Sequence, residues 1–193
     1  MDKQQFWQLI EAARNQASDP ADGDPADGEA VDGDPAEGEA VAREATALLA
    51  SRPVEEIVAA EQALWDLMAD SYTQPLWAAA YLANGGCSDD GFDYFRGWLI
   101  AQGRDVFERV VADPDALAEL PVVRACAEDG TELEGEDVLG IASNAHLSAT
   151  GDRLPAGSVT IRHPELDPAW DFDFDDDDEM GRRLPRLAAL FLE

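Results

Sequence analysis

The segment 82–100 most constrains the fold, because it holds a strong stop signal for one helix and a strong start signal for the next. Asn84-Gly85-Gly86 is typical of a helix C-terminus, where a residue with left-handed backbone closes the last turn. Ser88 then predicts an N-cap, followed by Asp89 and Asp90 in a first turn whose dipole favours anions. The segment therefore predicts two helices that meet at a tight joint.

Apolar residues recur at helical spacing along most of the remaining chain, between proline and glycine breaks. The longer helices are expected at 3–17, 53–72, 89–102 and 136–148. Val122–Ala127 is ambiguous between a helical turn and a short strand, and Val159-Thr-Ile161 resembles a strand, but one strand cannot form a sheet. The sequence predicts a mainly α fold: a single-domain helical bundle of about seven or eight helices, with little or no sheet.

Two acidic segments interrupt this pattern. In residues 18–40, the sequence Gly23-Asp-Pro-Ala-Asp-Gly-Glu-Ala-Val31 recurs almost unchanged at 33–41. With almost nothing to bury, 18–40 is predicted to be a flexible acidic insert, disordered within the single domain 1–193. In the second segment, 165–180, aromatic and acidic residues alternate after Trp170; an extended chain would direct the rings to one side and the carboxylates to the other.

The charge limits the partners that the chain can bind. Thirteen Lys and Arg residues against 42 Asp and Glu residues give a formal net charge of −29. This charge excludes nucleic acid phosphates and anionic membranes as partners, since almost no cations are present to displace counterions. Basic proteins, cations and neutral small molecules remain. With two cysteines, no segment like a signal peptide and no long apolar run, the protein is expected in the cytoplasm.

Several blocks resemble a bacterial family of unknown function, the domain of unknown function numbered 4240. The blocks are Phe6-Trp7, Trp77-Ala-Ala-Ala-Tyr-Leu82, Asn84-Gly-Gly-Cys-Ser-Asp-Asp-Gly-Phe-Asp-Tyr-Phe-Arg-Gly-Trp-Leu-Ile100, Asp113-Pro-Asp-Ala-Leu117, and a terminal block with Trp170, the acidic run and Leu184-Pro-Arg-Leu187. The resemblance covers most of the chain except the duplicated insert. It supports the fold prediction and implies no activity.

Cys87 raises the question of nucleophilic chemistry, because it lies just before a predicted helix N-terminus, which can lower a thiol pKa. Asp89 and Asp90 oppose thiolate formation. A cysteine nucleophile also requires a histidine, and only His146 and His163 exist. We therefore weigh a catalytic thiol against a small packed side chain, and no catalytic residue is assigned.

The candidate binding residues cluster at the joint, on the preceding helix and in the second acidic segment. They are Cys87, Ser88, Asp89, Asp90, Asp93, Tyr94, Trp98, Trp77, Tyr81, Trp170, Asp175 and Asp176. Capping and a local Asp93–Arg96 pair give an alternative account of the joint. The acidic run is a candidate for divalent cations, for a basic protein or for simple solvation, and its spacing matches no calcium loop. No zinc spacing or phosphate loop is present, so no cofactor is expected.

The leading hypothesis is a non-enzymatic, acidic interaction or regulatory module that binds a basic protein partner. The main alternative is a small-ligand-binding protein or enzyme with a pocket at the joint, and a further alternative is a DNA mimic. A deep pocket beneath Cys87 with buried carboxylates favours the ligand hypothesis. A filled core with outward-facing acids favours the interaction hypothesis.

Overall fold

The computed structural model describes residues 1–18 and 35–192, and within them the chain is helical and contains no strand. The predicted mainly α, single-domain fold is confirmed. The α-helices are α1 Lys3–Ala17, α2 Pro35–Ala50, α3 Val54–Asp70, α4 Gln74–Ala83, α5 Asp89–Ala101, α6 Arg104–Ala112, α7 Pro121–Asp129, α8 Glu136–Leu139, α9 Ile141–Thr150, α10 Asp177–Arg183 and α11 Pro185–Phe191. Short 3-10 helices lie at Pro114–Glu119 and Pro168–Trp170.

The duplicated insert lies largely outside the described residues, which omit 19–34. The last part of the predicted flexible insert 18–40 is helical, since α2 begins at Pro35. A proline fits the first turn of a helix, because the N–H groups of that turn have no acceptor within the helix and the absence of one costs no hydrogen bond. Residues 35–41 of the second repeat (33–41) are therefore part of helix α2, which packs against α1.

The ambiguous stretch after Pro121 is helix α7, which has the proline in its first turn and ends at Gly130 with a left-handed φ of 76°. The strand considered at Val159–Ile161 does not form. Instead, the Thr160 N–H donates to Gln62 Oε1 over 2.8 Å, and Gln62 Nε2 donates to the Thr160 carbonyl over 3.1 Å. A side-chain amide on α3 thus satisfies backbone groups that a neighbouring strand would otherwise pair.

Helix α5 is the central element of the core. Phe92, Phe95 and Trp98 are fully buried, and α5 contacts α2, α3, α4, α6 and α8. Burial of each large apolar side chain contributes about 1.5–3 kcal/mol, so these rings are a main source of stability. The helix predicted over 136–148 is divided at Gly140 into α8 and α9, and α8 packs on α5.

The C-terminal helices attach to the rest of the domain through a buried carboxylate. Asp115 accepts hydrogen bonds from the backbone N–H groups of Arg186 and Leu187, at 3.1 and 2.9 Å. Arg186 Nε also donates to Asp115, over 3.0 Å. Asp115 therefore satisfies the N-terminal donors of α11, which would otherwise lack acceptors. Within 1–18 and 35–192, no helix is both long and apolar enough to span a bilayer.

Candidate functional site

The joint between α4 and α5 forms as its sequence predicts. Asn84 is the C-cap of α4, and Gly85 and Gly86 have positive φ angles of 63° and 131°. The Ser88 hydroxyl accepts a hydrogen bond from the Gly91 N–H over 3.1 Å, which caps α5. The block that resembles the family is therefore first a structural unit that sets the angle between two helices.

Asn84 also holds a distant loop across the joint. Its side chain accepts from the Leu133 N–H over 3.0 Å and donates to the Leu133 carbonyl over 3.4 Å. The Leu133 side chain is fully buried. These contacts place the acidic loop 130–135 beside the joint, so Glu134 lies close enough to influence the Cys87 thiol.

Two glycines allow this loop to approach α5 closely. The Gly135 N–H donates to the Tyr94 carbonyl over 3.0 Å. A Cβ on Gly97 would lie 2.4 Å from the Gly135 oxygen, so only glycine fits here without movement. The approach brings Glu136 next to the Tyr94 hydroxyl, and the charge of Glu136 raises the pKa of Tyr94.

Cys87 is half-buried, and its environment opposes thiolate formation. Burial, followed by the negative charge of Glu134, raises the pKa of Cys87 to about 12. The Trp77 indole donates to the Cys87 carbonyl over 3.1 Å, which fixes the backbone of the joint. The Cys87 thiol contacts the Ser88 carbonyl at 3.7 Å, while His146 Nδ1 pairs with the Asp152 carbonyl at 2.9 Å and His163 lies against Tyr72.

A cleft opens on the outer side of the joint. It has a volume of about 250 Å³ and is lined by Tyr72, Trp77, Asp89, Asp93 and His163. We call it the Trp77 cleft. Trp77 stacks on Phe92, with ring centroids 4.8 Å apart and planes inclined at 15°. Its carboxylates are not buried, because Asp89 is exposed and Asp93 is half-buried.

Arg96 forms the inner support of this cleft. Its side chain is only 4 % exposed, and its guanidinium carbon lies 4.5 Å from the Phe92 ring centroid and 5.1 Å from that of Tyr72. It donates to Asp93 and to the Met68 carbonyl. Burial lowers the pKa of Arg96, while the Asp93 charge acts in the opposite direction. The predicted Asp93–Arg96 pair is therefore present.

The second acidic segment separates its aromatic and acidic side chains as the alternation predicts. Trp170, Phe172 and Phe174 are half-buried against the core, and the aspartates between them are exposed. The segment is not an extended run, however, because Pro168–Trp170 is a 3-10 helix and the Asp176 N–H donates to the Asp173 carbonyl over 2.9 Å in a turn. Asp176 then accepts from the Glu179 N–H over 3.0 Å and caps α10. Three acidic residues in the first turn of α10 favour this helix through its dipole.

Tyr81 connects the acidic segment to the joint. Its hydroxyl donates to Asp175 over 2.6 Å, and this bond raises the pKa of Tyr81. The Tyr81 ring also packs edge-on against Phe174, at 5.6 Å. Because Trp77 lies one turn before Tyr81 on α4, both predicted regions share one side of the molecule.

We call this surface the acidic-aromatic face and define it by Trp77, Tyr81, Asp89, Asp90 and residues 170–178. Trp98 is not part of it, because its side chain is fully buried in the core beneath the joint. Cys87, Ser88, Asp93 and Tyr94 border the face, and there Ser88 acts as a cap and Asp93 as the partner of Arg96. Asp175 and Asp176 lie within it, engaged with Tyr81 and the α10 backbone.

The sequence did not identify four residues beside the joint: Tyr72, Glu134, Glu136 and His163. Tyr72 ends a predicted helix, Glu136 begins α8, and Glu134 and His163 lie in loops; all but Tyr72 are distant in sequence from the joint. Among the described residues, no group of three or more His, Cys, Asp and Glu side chains is arranged to hold a metal ion.

Comparison with known proteins gave one match. Residues 1–147 match a family model described as a protein of unknown function (DUF4240). The matched range includes the joint and the Asp113–Leu117 block, and it ends before the second acidic segment. No curated protein and no solved structure matches the chain.

Proposed function

This chain belongs to the DUF4240 family of proteins of unknown function, and we propose that it is a non-enzymatic interaction or regulatory module that binds a basic segment of a partner protein. The acidic-aromatic face is the proposed contact surface. The proposal follows from the side chains of that face and from the charge of the chain, since the family description implies no activity.

The observation that carries the proposal is a set of exposed carboxylates without ion-pair partners among the described residues, on the surface above buried aromatic side chains. Phe92, Phe95 and Trp98 occupy the interior beneath the joint completely. Asp89, Asp90 and Asp171 are exposed, and none of them forms an ion pair within residues 1–18 and 35–192. These carboxylates are therefore available to cations from outside the chain.

The distribution of arginines supports the same proposal. Arg182 and Arg183 both pair with Glu179, at 2.5 and 2.7 Å, and Arg186 pairs with Asp113, Asp115 and Glu119. The basic residues around the face are thus used internally and do not neutralise its outer aspartates. A net charge of −29 would also accelerate encounter with a basic partner, in a manner that salt screens.

The aromatic rings of the acidic-aromatic face add apolar contact area to its negative charge. Half-buried aromatic side chains offer rigid apolar area next to carboxylates, and aromatic residues are enriched at protein interfaces. Cys87 supports the non-enzymatic part of the proposal, because a thiol with a pKa raised to about 12 is a poor nucleophile at neutral pH. Two free cysteines agree with a reducing, cytoplasmic setting for the protein.

The test compares two charge-matched triple variants in binding to a deca-lysine peptide. The face variant carries Asp89→Asn, Asp90→Asn and Asp171→Asn. The control carries Glu55→Gln, Asp105→Asn and Asp152→Asn, which are exposed residues on other elements. Each variant removes three negative charges, so a difference between them reports position rather than net charge.

Isothermal titration calorimetry at about 50 mM and about 500 mM NaCl measures both affinity and salt dependence. We expect the face variant to bind at least tenfold more weakly than the control at low salt, and all three proteins to bind more weakly at high salt. Equal losses in the two variants, or no salt-sensitive binding by the natural protein, would overturn the proposal.

A further inference from the structure

We infer that the Trp77 cleft receives one cationic side chain, a lysine or an arginine, from the basic partner. The inference rests on the proposed function and specifies where on the acidic-aromatic face the partner is anchored. The cleft combines aromatic rings, carboxylates and a volume that admits a single side chain.

The geometry of the cleft suits an alkyl cation. Trp77 and Tyr72 pack against each other with ring centroids 6.0 Å apart and planes inclined at 53°, and both line the cleft together with His163. Asp89 and Asp93 stand at the rim. Cations bind favourably over aromatic faces, most strongly over tryptophan, and an adjacent carboxylate adds a charge-assisted hydrogen bond. A volume of about 250 Å³ accepts one such side chain and excludes a folded element.

The protein itself binds guanidinium groups in this manner twice. Arg183 lies 4.6 Å from the Trp170 ring centroid and 4.8 Å from that of Phe172, while it pairs with Glu179. Arg96 lies over Phe92 and Tyr72 while it pairs with Asp93. In both cases two rings and one carboxylate hold one cation.

The Trp77 cleft presents similar groups: the Trp77 ring, the carboxylate of Asp89, and Tyr72, a ring that it shares with the Arg96 set. In the described part of the chain, no Lys or Arg forms an ion pair with Asp89. No Lys or Arg of the described residues therefore occupies the place beside Trp77 and Asp89, and a cationic side chain from another molecule would fill it.

The arginines near the cleft are already paired with carboxylates other than Asp89. Arg96 approaches from the buried side and is already paired with Asp93. Arg162, next to His163 in sequence, pairs with Asp66 at 2.8 Å. Asp89 therefore remains the principal unpaired charge of the cleft, and its carboxylate is the group that an incoming ammonium or guanidinium would meet.

The experiment measures binding of deca-lysine to the full chain by calorimetry at low salt, with Asp89→Asn as the test variant and Asp105→Asn as its control. Both residues are exposed aspartates in the first turn of a helix, so the two substitutions change charge and capping alike. We expect Asp89→Asn to weaken binding at least fivefold and Asp105→Asn to change it less than twofold.

A second variant tests the aromatic wall. Trp77→Leu, checked for folding by circular dichroism, is expected to weaken binding at least fivefold as well, because leucine offers no face to a cation. If this variant does not fold, Asp89→Asn alone decides the inference, since Asp89 is exposed.

The outcomes separate the two proposals. If the natural protein binds deca-lysine in a salt-sensitive way but Asp89→Asn and Asp105→Asn behave alike, the cleft inference is overturned and the proposed function stands. If the natural protein does not bind deca-lysine at all, both the cleft inference and the proposed function are overturned. A parallel titration with spermidine tests a free small cation: binding as tight as that of deca-lysine and equally dependent on Asp89 would overturn the assignment to a partner side chain.

Discussion

Gly97→Ala is the substitution that most sharply tests how the joint is built. Gly97 is buried in α5 beneath the backbone of Gly135. The added Cβ would lie 2.4 Å from the Gly135 oxygen, where ordinary contact begins near 3.4 Å, so the loop would have to move by about 1 Å. Because the obstacle is backbone rather than a flexible side chain, a change of rotamer cannot relieve the overlap.

The magnitude follows from three contributions. Overpacking a well-packed site costs about 1–3 kcal/mol. Displacement of Gly135 also weakens the hydrogen bond from its N–H to the Tyr94 carbonyl, which contributes about 1 kcal/mol. Replacing glycine with alanine inside a helix returns about 1 kcal/mol. The net expectation is a loss of about 1–3 kcal/mol in the free energy of unfolding, or roughly 2–12 °C in Tm for a chain of this size.

Gly91→Ala is the matched control in the same helix. Its Cβ would meet the Ser88 hydroxyl at 3.4 Å and the Cys87 sulfur at 3.7 Å, both ordinary contacts. This variant is expected to match the natural protein or to gain up to about 1 kcal/mol. Urea unfolding followed by circular dichroism measures both. A Gly97→Ala protein as stable as Gly91→Ala would refute the close approach of α5 and the 130–135 loop.

Three further predictions concern buried or paired side chains. Glu61 is buried on α3, and burial raises its pKa, so its ionisation opposes folding as the pH rises above the unfolded value of about 4.3. Glu61→Gln should therefore gain stability relative to the natural protein as the pH rises above the unfolded pKa of about 4.3 in urea unfolding, and a pH-independent difference would contradict this. Cys87 should react with iodoacetamide at about pH 8 some 10³-fold more slowly than a free cysteine, because a pKa of about 12 leaves little thiolate; a rate near that of glutathione, followed by mass spectrometry, would count against it. Asp115→Ala should lower the free energy of unfolding by about 2–4 kcal/mol, since Arg186 and two α11 backbone donors lose their acceptor, whereas Glu165→Ala on the surface should change it by less than about 0.5 kcal/mol.

Local features of the chain could be predicted from the sequence wherever their cause is local. The Asn84-Gly85-Gly86 stop and the Ser88 cap both form, because each depends on hydrogen bonds within a few residues. The rings after Trp170 are half-buried and the aspartates between them exposed, as expected, but the segment contains turns and does not take the extended form on which that expectation depended.

Features that depend on tertiary packing could not be predicted in this way. Trp98 was a binding candidate beside an apolar stripe, but α5 is surrounded by other helices and buries nearly its whole C-terminal half. Periodicity identifies one apolar face and cannot reveal that a helix is covered on several sides. The boundary at Asp176 was missed because the cap and the dipole effect of three acids outweighed the extended pattern before it.

In the candidate site, too, residues with a local sequence signal were predicted and residues brought in by tertiary packing were not. Asp89 and Trp77 were found because they flank a recognisable joint. His163 and Tyr72 were not, since the segment that carries His163 follows α3 through contacts of Gln62 and Asp66 with residues nearly 100 positions away. Such pairings leave no trace in a single sequence, and the cleft exists only once they are made.

The central claim is that the acidic-aromatic face binds a basic segment, and tryptophan indole signals test it most directly. In nuclear magnetic resonance spectra of isotope-labelled protein, each of the five tryptophans gives one indole N–H signal. On titration with deca-lysine at low salt, the signals of Trp77 and Trp170 are predicted to shift, and those of Trp7, packed on Phe107, and buried Trp98 are predicted to stay. No shift at Trp77 and Trp170, or equal shifts at all four, would contradict the claim.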